Sequence, residues 1–88
     1  MTEPQKSASE WFVYIIRASD QTLYTGITTD PVRRLAEHQS GKAGAKYFRG
    51  RSAVEMVYVE ASDNRSTASI REAAIKKLSR SQKLTLIG

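Results

Sequence analysis

The sequence contains no cysteine, so it can form neither a disulfide framework nor a zinc site built on thiolates. Nothing in its composition requires an oxidising compartment, and the cytoplasm is the expected location. The longest apolar run, Trp11 to Ile16, is far shorter than the roughly 20 residues that span a bilayer. Residues 1 to 10 lack the apolar stretch of a secretory signal. We therefore expect a flexible polar leader there, followed by a single domain over residues 11 to 88.

The length and composition of the chain set limits on its architecture. Eighty-eight residues are too few for two ordinary domains, so any active site must be assembled on one small core. Hydrophobic residues make up 40% of the chain and charged residues 26%, which excludes the profile of a disordered protein.

Positive charge is concentrated in two segments of the sequence. The formal net charge is +5, and residues 31 to 52 carry six lysines and arginines against one acid, Glu37. Residues 66 to 88 carry five against Glu72. Such clustering suits a polyanion such as nucleic acid, although charge alone does not distinguish this from an ordinary basic surface.

The first half of the chain predicts a β-hairpin followed by a helix. Residues 11 to 17 and 23 to 29 are rich in aromatic and β-branched types, and turn-forming residues separate them. Asp30-Pro31 is typical of a helix start, because aspartate caps free amides and proline suits the first helical position. Ser40-Gly41 predicts its end. At 100° per residue, the predicted apolar face consists of Val32, Leu35, Ala36 and Gln39, with Arg34 and His38 at its edge.

The second half predicts a loop, a third strand and two helices. Residues 41 to 51 combine glycines with cations, which indicates a flexible basic loop. Residues 53 to 61 alternate as a strand does, so that Val54, Met56, Tyr58 and Glu60 are expected on one side. A helix from Ser66 to about Leu78 follows, with an apolar arc of Ile70, Ala74, Ile75 and Leu78. A short closing helix is predicted over residues 81 to 87.

Four elements of the sequence carry a resemblance to a known family. The tripeptides Phe12-Val13-Tyr14 and Tyr24-Thr25-Gly26 lie on the two arms of the predicted hairpin. They resemble the paired tripeptides that name the GIY-YIG nuclease family. Arg34 with His38 one turn later, and then Glu72, resemble the catalytic arginine, histidine and metal-binding glutamate of that family. The order and approximate spacing agree over nearly the whole chain.

The match is closest to the small stand-alone bacterial proteins of the YhbQ type. Shared text includes residues 24 to 29, Ser40-Gly41-Lys42 and Lys83-Leu84. The departures are Phe12, Val13 and Thr25 in the tripeptides. In addition, many family members have an asparagine late in the domain, whereas the only asparagine here is Asn64, upstream of the glutamate.

The resemblance implies a fold and an activity. The fold would be a small α/β (α+β) domain with a central three-stranded antiparallel sheet flanked by helices. The protein would be a Mg²⁺-dependent endonuclease that hydrolyses phosphodiester bonds in DNA. It would recognise the structure of the DNA or damage to it, as in DNA repair. Larger relatives carry a separate DNA-recognition domain, and we expect no such domain here. Little sequence specificity is therefore expected. Alternatives are a non-catalytic nucleic-acid-binding module or a subunit that needs a protein partner for activity or targeting.

The resemblance also implies roles for individual residues. Tyr14 is the expected general base, and Tyr24 would position the water or the phosphate. Arg34, a planar fork of donors that stays charged, would stabilise the transition state. His38 would hold a tyrosine hydroxyl or relay its proton, and Glu72 would bind Mg²⁺ or another divalent cation such as Mn²⁺. Gly26 belongs to the structural motif. Without the resemblance, the same tyrosines would be sheet-packing residues and the charges surface groups.

Basic residues around these motifs are expected to contact phosphates rather than bases, and they are Lys42, Lys46, Arg49, Arg51 and Lys76. Tyr47 and Phe48 lie among them. Those rings either stack on unpaired bases or anchor the loop to the core. Arg71 falls on an apolar helix face, which fits either a substrate contact or an internal salt bridge.

Overall fold

A computed structural model of the protein describes residues 10–41 and 45–88. The elements in chain order are β1 (Trp11–Ala18), β2 (Leu23–Thr28), α1 (Pro31–Ser40), a 3₁₀ turn (Lys46–Phe48), β3 (Ala53–Ser62), α2 (Arg65–Lys76) and α3 (Arg80–Ile87). The α+β fold, with three antiparallel strands flanked by helices, is confirmed. Residues 1–9 of the predicted leader lie outside the described residues, as do residues 42–44 of the predicted loop. No helix within the described ranges is long and apolar enough to span a membrane.

β1 is the central strand of the sheet. The strand order is β2-β1-β3 and both pairings are antiparallel, with Tyr14 opposite Gly26 on one side and Val59 on the other. The four residues Val13 to Ile16 are fully buried, because helices cover both faces of this strand. A strand buried on both faces reads as a continuous apolar run, which is what the sequence has here.

Alternate residues of β1 support two separate cores. Tyr14 and Ile16 face α1 and the 3₁₀ turn, where they pack with Phe48. Val13 and Ile15 face the other way and pack against Ala68 and Ile75 of α2, with the end of α3 alongside. We call these two layers the α1 face and the α2 face of the sheet.

A β-bulge in β3 overturns one prediction. Ile15 pairs with Tyr58, but Ile16 pairs with Met56, so Val57 is an extra residue on the β3 side. One inserted residue inverts the alternation of side chains beyond it. Met56 therefore packs on the α1 face and Tyr58 on the α2 face. The prediction that Val54, Met56, Tyr58 and Glu60 share one side is wrong for this reason.

The bounds of α1 are as predicted, but its apolar face is only partly so. The Asp30 carboxylate accepts a hydrogen bond from the Arg33 amide at 3.2 Å, and Gly41 ends the helix at φ 79°. Val32 is 81% exposed. Leu35 packs against the sheet and the Gln39 amide donates to carbonyls of β3 at 3.4 Å, as the predicted face requires. His38 also faces the sheet, because its imidazole bonds to the Tyr14 hydroxyl there. A hydrophobicity pattern does not place His38 on the side of α1 that faces the sheet, since it counts histidine as polar.

α2 begins earlier than predicted, at Arg65, because Asn64 caps it. The Asn64 side chain accepts from the Thr67 amide at 2.9 Å, and the Thr67 hydroxyl accepts from the Asn64 amide at 3.2 Å. This reciprocal pair is a capping box. The predicted apolar arc is only partly correct, since Ile75 is buried while Ile70 is exposed to solvent.

Candidate active site

The Tyr14 side chain lies across the neighbouring strand at Gly26. A β-carbon added at position 26 would lie 2.5 Å from the Tyr14 hydroxyl oxygen and 2.6 Å from its Cζ. The Tyr14 ring is only 1% exposed, so it cannot easily move away. Glycine is therefore required at position 26 for space, which gives the pairing of the two tripeptides a physical reason.

His38 of α1 holds the Tyr14 hydroxyl from the other side. Tyr14 Oη and His38 Nε2 are 2.9 Å apart, and His38 Nδ1 accepts a hydrogen bond from the Ala45 amide at 3.1 Å. An Nδ1 that accepts carries no hydrogen, so in the neutral ring the proton is on Nε2. His38 thus donates to the Tyr14 oxygen and leaves the phenol proton of Tyr14 directed elsewhere.

Burial dominates the protonation of both rings. It lowers the pKa of His38 to about 4, with the positive charge of Arg34 as the next cause, so the imidazole is neutral at pH 7. Burial also raises the pKa of Tyr14 to about 12, against the lowering effect of its hydrogen bond with Arg34. Arg34 does supply the expected positive field, but in the free protein desolvation outweighs it and Tyr14 is protonated at neutral pH.

Arg34 connects Tyr14 to an acid that the sequence analysis did not identify. The Arg34 Nη1 lies 2.8 Å from one oxygen of Glu37, and Arg33 Nε lies 3.1 Å from the other. The hydrogen bond from Arg34 lowers the pKa of Glu37. One carboxylate therefore fixes two arginines. The spacing of Glu37, three and four residues after the arginines, was the available signal.

A cleft of about 310 Å³ opens beside Arg34. Arg33, Arg34 and Glu37 line it from α1, and Trp11 and Ile27 line it from the strands. Sequence reasoning treated Trp11 only as a strand residue. Two guanidinium groups paired with one carboxylate beside an open cleft suit a phosphate group, because arginine binds phosphate through paired hydrogen bonds.

Tyr24 lies within a cluster of rings on the α1 face. Its ring centroid is 5.4 Å from that of His38, 5.0 Å from Tyr47 and 5.2 Å from Phe48. Phe48 is buried and lies 4.8 Å from the His38 ring. Of the two alternatives for these rings, the contacts favour anchoring: Phe48, and in part Tyr47, attach the 3₁₀ turn to the core.

Glu72 approaches from the opposite layer of the sheet. It lies on α2, its side chain is 22% exposed, and its carboxylate is 3.2 Å from the Lys76 ammonium. The negative charge of Glu72 raises the pKa of Tyr14, and this is the smallest of the effects that shift that pKa. The structure therefore brings Tyr14, Tyr24, Arg34 and His38 into direct contact, and it brings Glu72 within electrostatic range of them.

The residues present fit a magnesium ion bound by one carboxylate. In residues 10–41 and 45–88, no three histidine or acidic side chains are grouped closely enough to hold a metal. Mg²⁺ commonly binds proteins through one or two carboxylates and fills its other positions with water and phosphate oxygens. Glu72 supplies a carboxylate of that kind, provided that Lys76 gives way.

The residues predicted to contact phosphates differ in their surroundings. Lys46 and Arg49 are exposed on the segment of the 3₁₀ turn, whereas Lys42 lies outside the described residues. Arg51 pairs with Asp20 at 3.1 Å and lies 4.2 Å from the centroid of the Tyr47 ring. Lys76 pairs with Glu72, as described above.

The two alternatives for Arg71 can be separated. Its guanidinium Nε lies 2.9 Å from Glu60, which also accepts a hydrogen bond from the Tyr58 hydroxyl. This is an internal salt bridge on the α2 face.

Comparison with known proteins identifies the family. The pattern of the GIY-YIG catalytic domain matches residues 10–85. The UPF0213 protein of Desulfotalea psychrophila is 51% identical over 84 residues, which cover 96% of this chain and 76% of that protein. The UPF0213 protein of Syntrophus aciditrophicus is 52% identical over 79 residues, which cover 90% of this chain and 91% of that protein.

Two solved structures share the fold. The NMR structure of the UPF0213 protein from Bacillus halodurans is 42% identical with a TM-score of 0.56, covering 89% of this chain and 82% of that one. The NMR structure of a protein from E. faecalis is 37% identical with a TM-score of 0.57, covering 98% and 88%. The match to the family pattern and the similarity to these relatives show that the protein belongs to the GIY-YIG family.

Proposed function

We propose that this protein is a divalent-metal-dependent endonuclease that hydrolyses phosphodiester bonds in DNA. The observation that carries the proposal is the contact of a buried tyrosine hydroxyl with a neutral histidine and an arginine beside an open cleft, with one carboxylate in electrostatic range. Damaged or branched DNA is the proposed substrate. The exposed cations Lys46 and Arg49 suit phosphates and do not select a sequence.

Tyr14 is the proposed general base. It accepts a proton from water only as a phenolate, and two donors in this site stabilise that form: the Nε2–H group of His38 and the guanidinium of Arg34. Because the pKa of Tyr14 is about 12 in the free protein, forming the phenolate at pH 7 costs about 7 kcal/mol. Additional positive charge in the assembled complex must reduce that cost.

Arg34 is the proposed phosphate ligand, and Tyr24 positions the water or the phosphate. Glu37 holds Arg34 in a fixed orientation at the cleft, so the guanidinium is arranged before the substrate arrives. A divalent cation held by Glu72 would polarise the phosphate and assist the departing oxygen. The Tyr24 ring centroid lies 5.4 Å from that of His38 and 6.3 Å from that of Tyr14, so Tyr24 borders the proposed base.

A cleavage assay tests the proposal. Native protein and Glu72→Gln would be incubated with labelled flapped, branched, nicked and duplex DNA in Mg²⁺ or Mn²⁺. We expect Glu72→Gln to cut at least about 100-fold more slowly, because the amide cannot neutralise a divalent cation. Glu55→Gln is the matched control, since Glu55 forms an exposed ion pair with Arg17. Equal rates for both variants, or no cleavage by native protein, would contradict the proposal.

A binding module without turnover is the second candidate. The observation that favours it is the pKa of Tyr14, because a protonated phenol is not a base. This candidate predicts salt-sensitive binding to DNA without cleavage in any metal. If activity instead needs a protein partner, cleavage would appear only when the partner is added, and pull-down from cell extract would identify it.

A further inference from the structure

A second cavity lies between the hairpin turn and α3. Its volume is about 240 Å³, and the residues that line it are Thr22, Leu23, Tyr47, Arg80 and Lys83. None of these residues lines the cleft beside Arg34. Two of the five carry positive charge and none is acidic, so the cavity presents a cationic wall.

Arg80 fixes the shape of this cavity. Its Nη1 donates a hydrogen bond to the Gln21 carbonyl at 2.7 Å, across 59 positions of sequence. Gln21 has φ 73°, a left-handed conformation that costs free energy for a residue other than glycine. The bond to Gln21 uses one of the five N–H donors of the Arg80 guanidinium. Lys83, three residues further along α3, places a second positive charge on the same side of the helix.

The cavity adjoins the candidate active site through one ring. Tyr47 forms part of its wall, and the Tyr47 centroid lies 5.0 Å from that of Tyr24. The nearest acid of the hairpin turn, Asp20, is engaged by Arg51 and by the Thr22 hydroxyl. Its negative charge is therefore largely offset, and the positive charge of Arg80 and Lys83 remains to attract an anion.

We propose that this cavity binds a backbone phosphate of the nucleic-acid strand, separate from the phosphate proposed to bind at Arg34. Arginine and lysine are the side chains that bind phosphates of nucleic acids, and such contacts position a strand without reading its sequence. The volume is below the usual range for a whole small-molecule ligand, roughly 300 to 1,000 Å³, and suits a phosphate with its sugar. The inference rests on the proposed function, which supplies the strand.

Lys83→Glu tests the inference more cleanly than a change at Arg80, which also holds the hairpin turn. Fluorescence anisotropy would measure binding of labelled single-stranded and flapped oligonucleotides in EDTA, so that no cleavage occurs. We expect about tenfold weaker binding and a salt slope smaller by about 1. The matched control is Lys77→Glu, the same charge reversal at an exposed position at the end of α2. It is expected to weaken binding less than twofold. Equal losses for the two variants would overturn the inference.

An NMR titration separates a polynucleotide from a small phosphate compound as the occupant. Amide signals of Thr22, Leu23 and Lys83 are expected to shift with an oligonucleotide at concentrations where inorganic phosphate and a mononucleotide have no effect. Shifts caused by inorganic phosphate but not by the oligonucleotide would overturn the assignment to a strand. So would the absence of shifts with the oligonucleotide, inorganic phosphate and the mononucleotide alike.

The two proposals fail separately. Binding that depends on Lys83 without any cleavage in Mg²⁺ or Mn²⁺ would contradict the nuclease proposal and keep this subsite. Normal cleavage by native protein, with identical binding by Lys83→Glu and Lys77→Glu, would contradict this subsite and keep the nuclease proposal.

Discussion

The two faces of the sheet bury different chemistry, although alternate residues of β1 build both. On the α1 face, the buried polar groups Tyr14 and His38 bond to each other, and His38 also bonds to the Ala45 amide. On the α2 face, the buried residues next to β1 are apolar, apart from Thr25 on β2. The buried polar network around Tyr14 therefore lies on the α1 face, whereas the α2 face supplies an apolar core and adds Glu72 to the candidate site from α2.

The comparison predicts that truncation of the apolar core on the α2 face lowers stability and leaves the hydrogen bonds around Tyr14 in place. Ile75→Ala removes a fully buried side chain of the α2 face and should lower the free energy of unfolding by about 3 kcal/mol. Urea denaturation measures this. Per folded molecule, DNA cleavage should remain within twofold of native. A larger loss of cleavage in fully folded protein would show that the two faces are coupled.

Gly26→Ala should disturb both stability and the candidate site on the α1 face through one added methyl group. The new β-carbon would meet the Tyr14 ring, and we expect a loss of about 2 kcal/mol of stability from overpacking. The displaced hydroxyl should also lose its hydrogen bond to His38. Gly50→Ala is the control, since a β-carbon at position 50 meets nothing within 4 Å among the described residues. Similar urea midpoints for the two variants would contradict the packing argument.

Acid should destabilise the α1 face first, because His38 is buried as a neutral ring. Its pKa falls from 6.5 in the unfolded chain to about 4 in the folded one, so the unfolded state binds the extra proton as pH falls. Stability should therefore decrease by about 2 kcal/mol between pH 7.5 and pH 5. Denaturation of native protein and His38→Gln across that range measures it. As His38 is the only histidine, NMR reads its titration directly. A midpoint near 6.5 would contradict this account.

Thr25→Val should stabilise the protein by about 1 kcal/mol. The Thr25 hydroxyl is buried on the α2 face and has no hydrogen-bond partner among residues 10–41 and 45–88. Valine has nearly the same shape and removes a desolvated polar atom. Thr28→Val, at a hydroxyl that bonds to Asp30, serves as the control and should not stabilise. Destabilisation by Thr25→Val would reveal a partner for this hydroxyl.

Much of the fold could be predicted from local sequence, because its signals are short-range. The apolar run of β1, the Asp30-Pro31 start of α1 and Gly41 at its end each report a conformation set by a few neighbouring residues. The bulge at Val57 could not be predicted in this way, since it depends on how β3 pairs with β1. The phase of α1 was missed for a related reason: His38 is buried because Tyr14 reaches it across the sheet.

The candidate site was predictable as a set of residues but not as an arrangement. Resemblance to the family brought together Tyr14, Tyr24, Arg34, His38 and Glu72. Three features of the site depend on burial and distance, which the order of residues does not contain. They are the tautomer of His38, the upward shift of the Tyr14 pKa and the ion pair between Glu37 and Arg34. The sequence likewise shows Lys83 and Arg80 only as charged residues, because their place in a cavity depends on where α3 packs beside the hairpin turn.

The comparison between faces is tested most directly by removing one hydroxyl from each. Tyr14→Phe deletes the hydroxyl bound to His38, and Tyr58→Phe deletes the hydroxyl bound to Glu60 on the α2 face. The measurement is the rate of DNA cleavage in Mg²⁺ at saturating protein, with folding of both variants checked by circular dichroism. Tyr14→Phe should cut at least about 100-fold more slowly than native, as expected for loss of a general base, and Tyr58→Phe within twofold. Equal rates for the two folded variants would contradict the assignment of the general base to the α1 face.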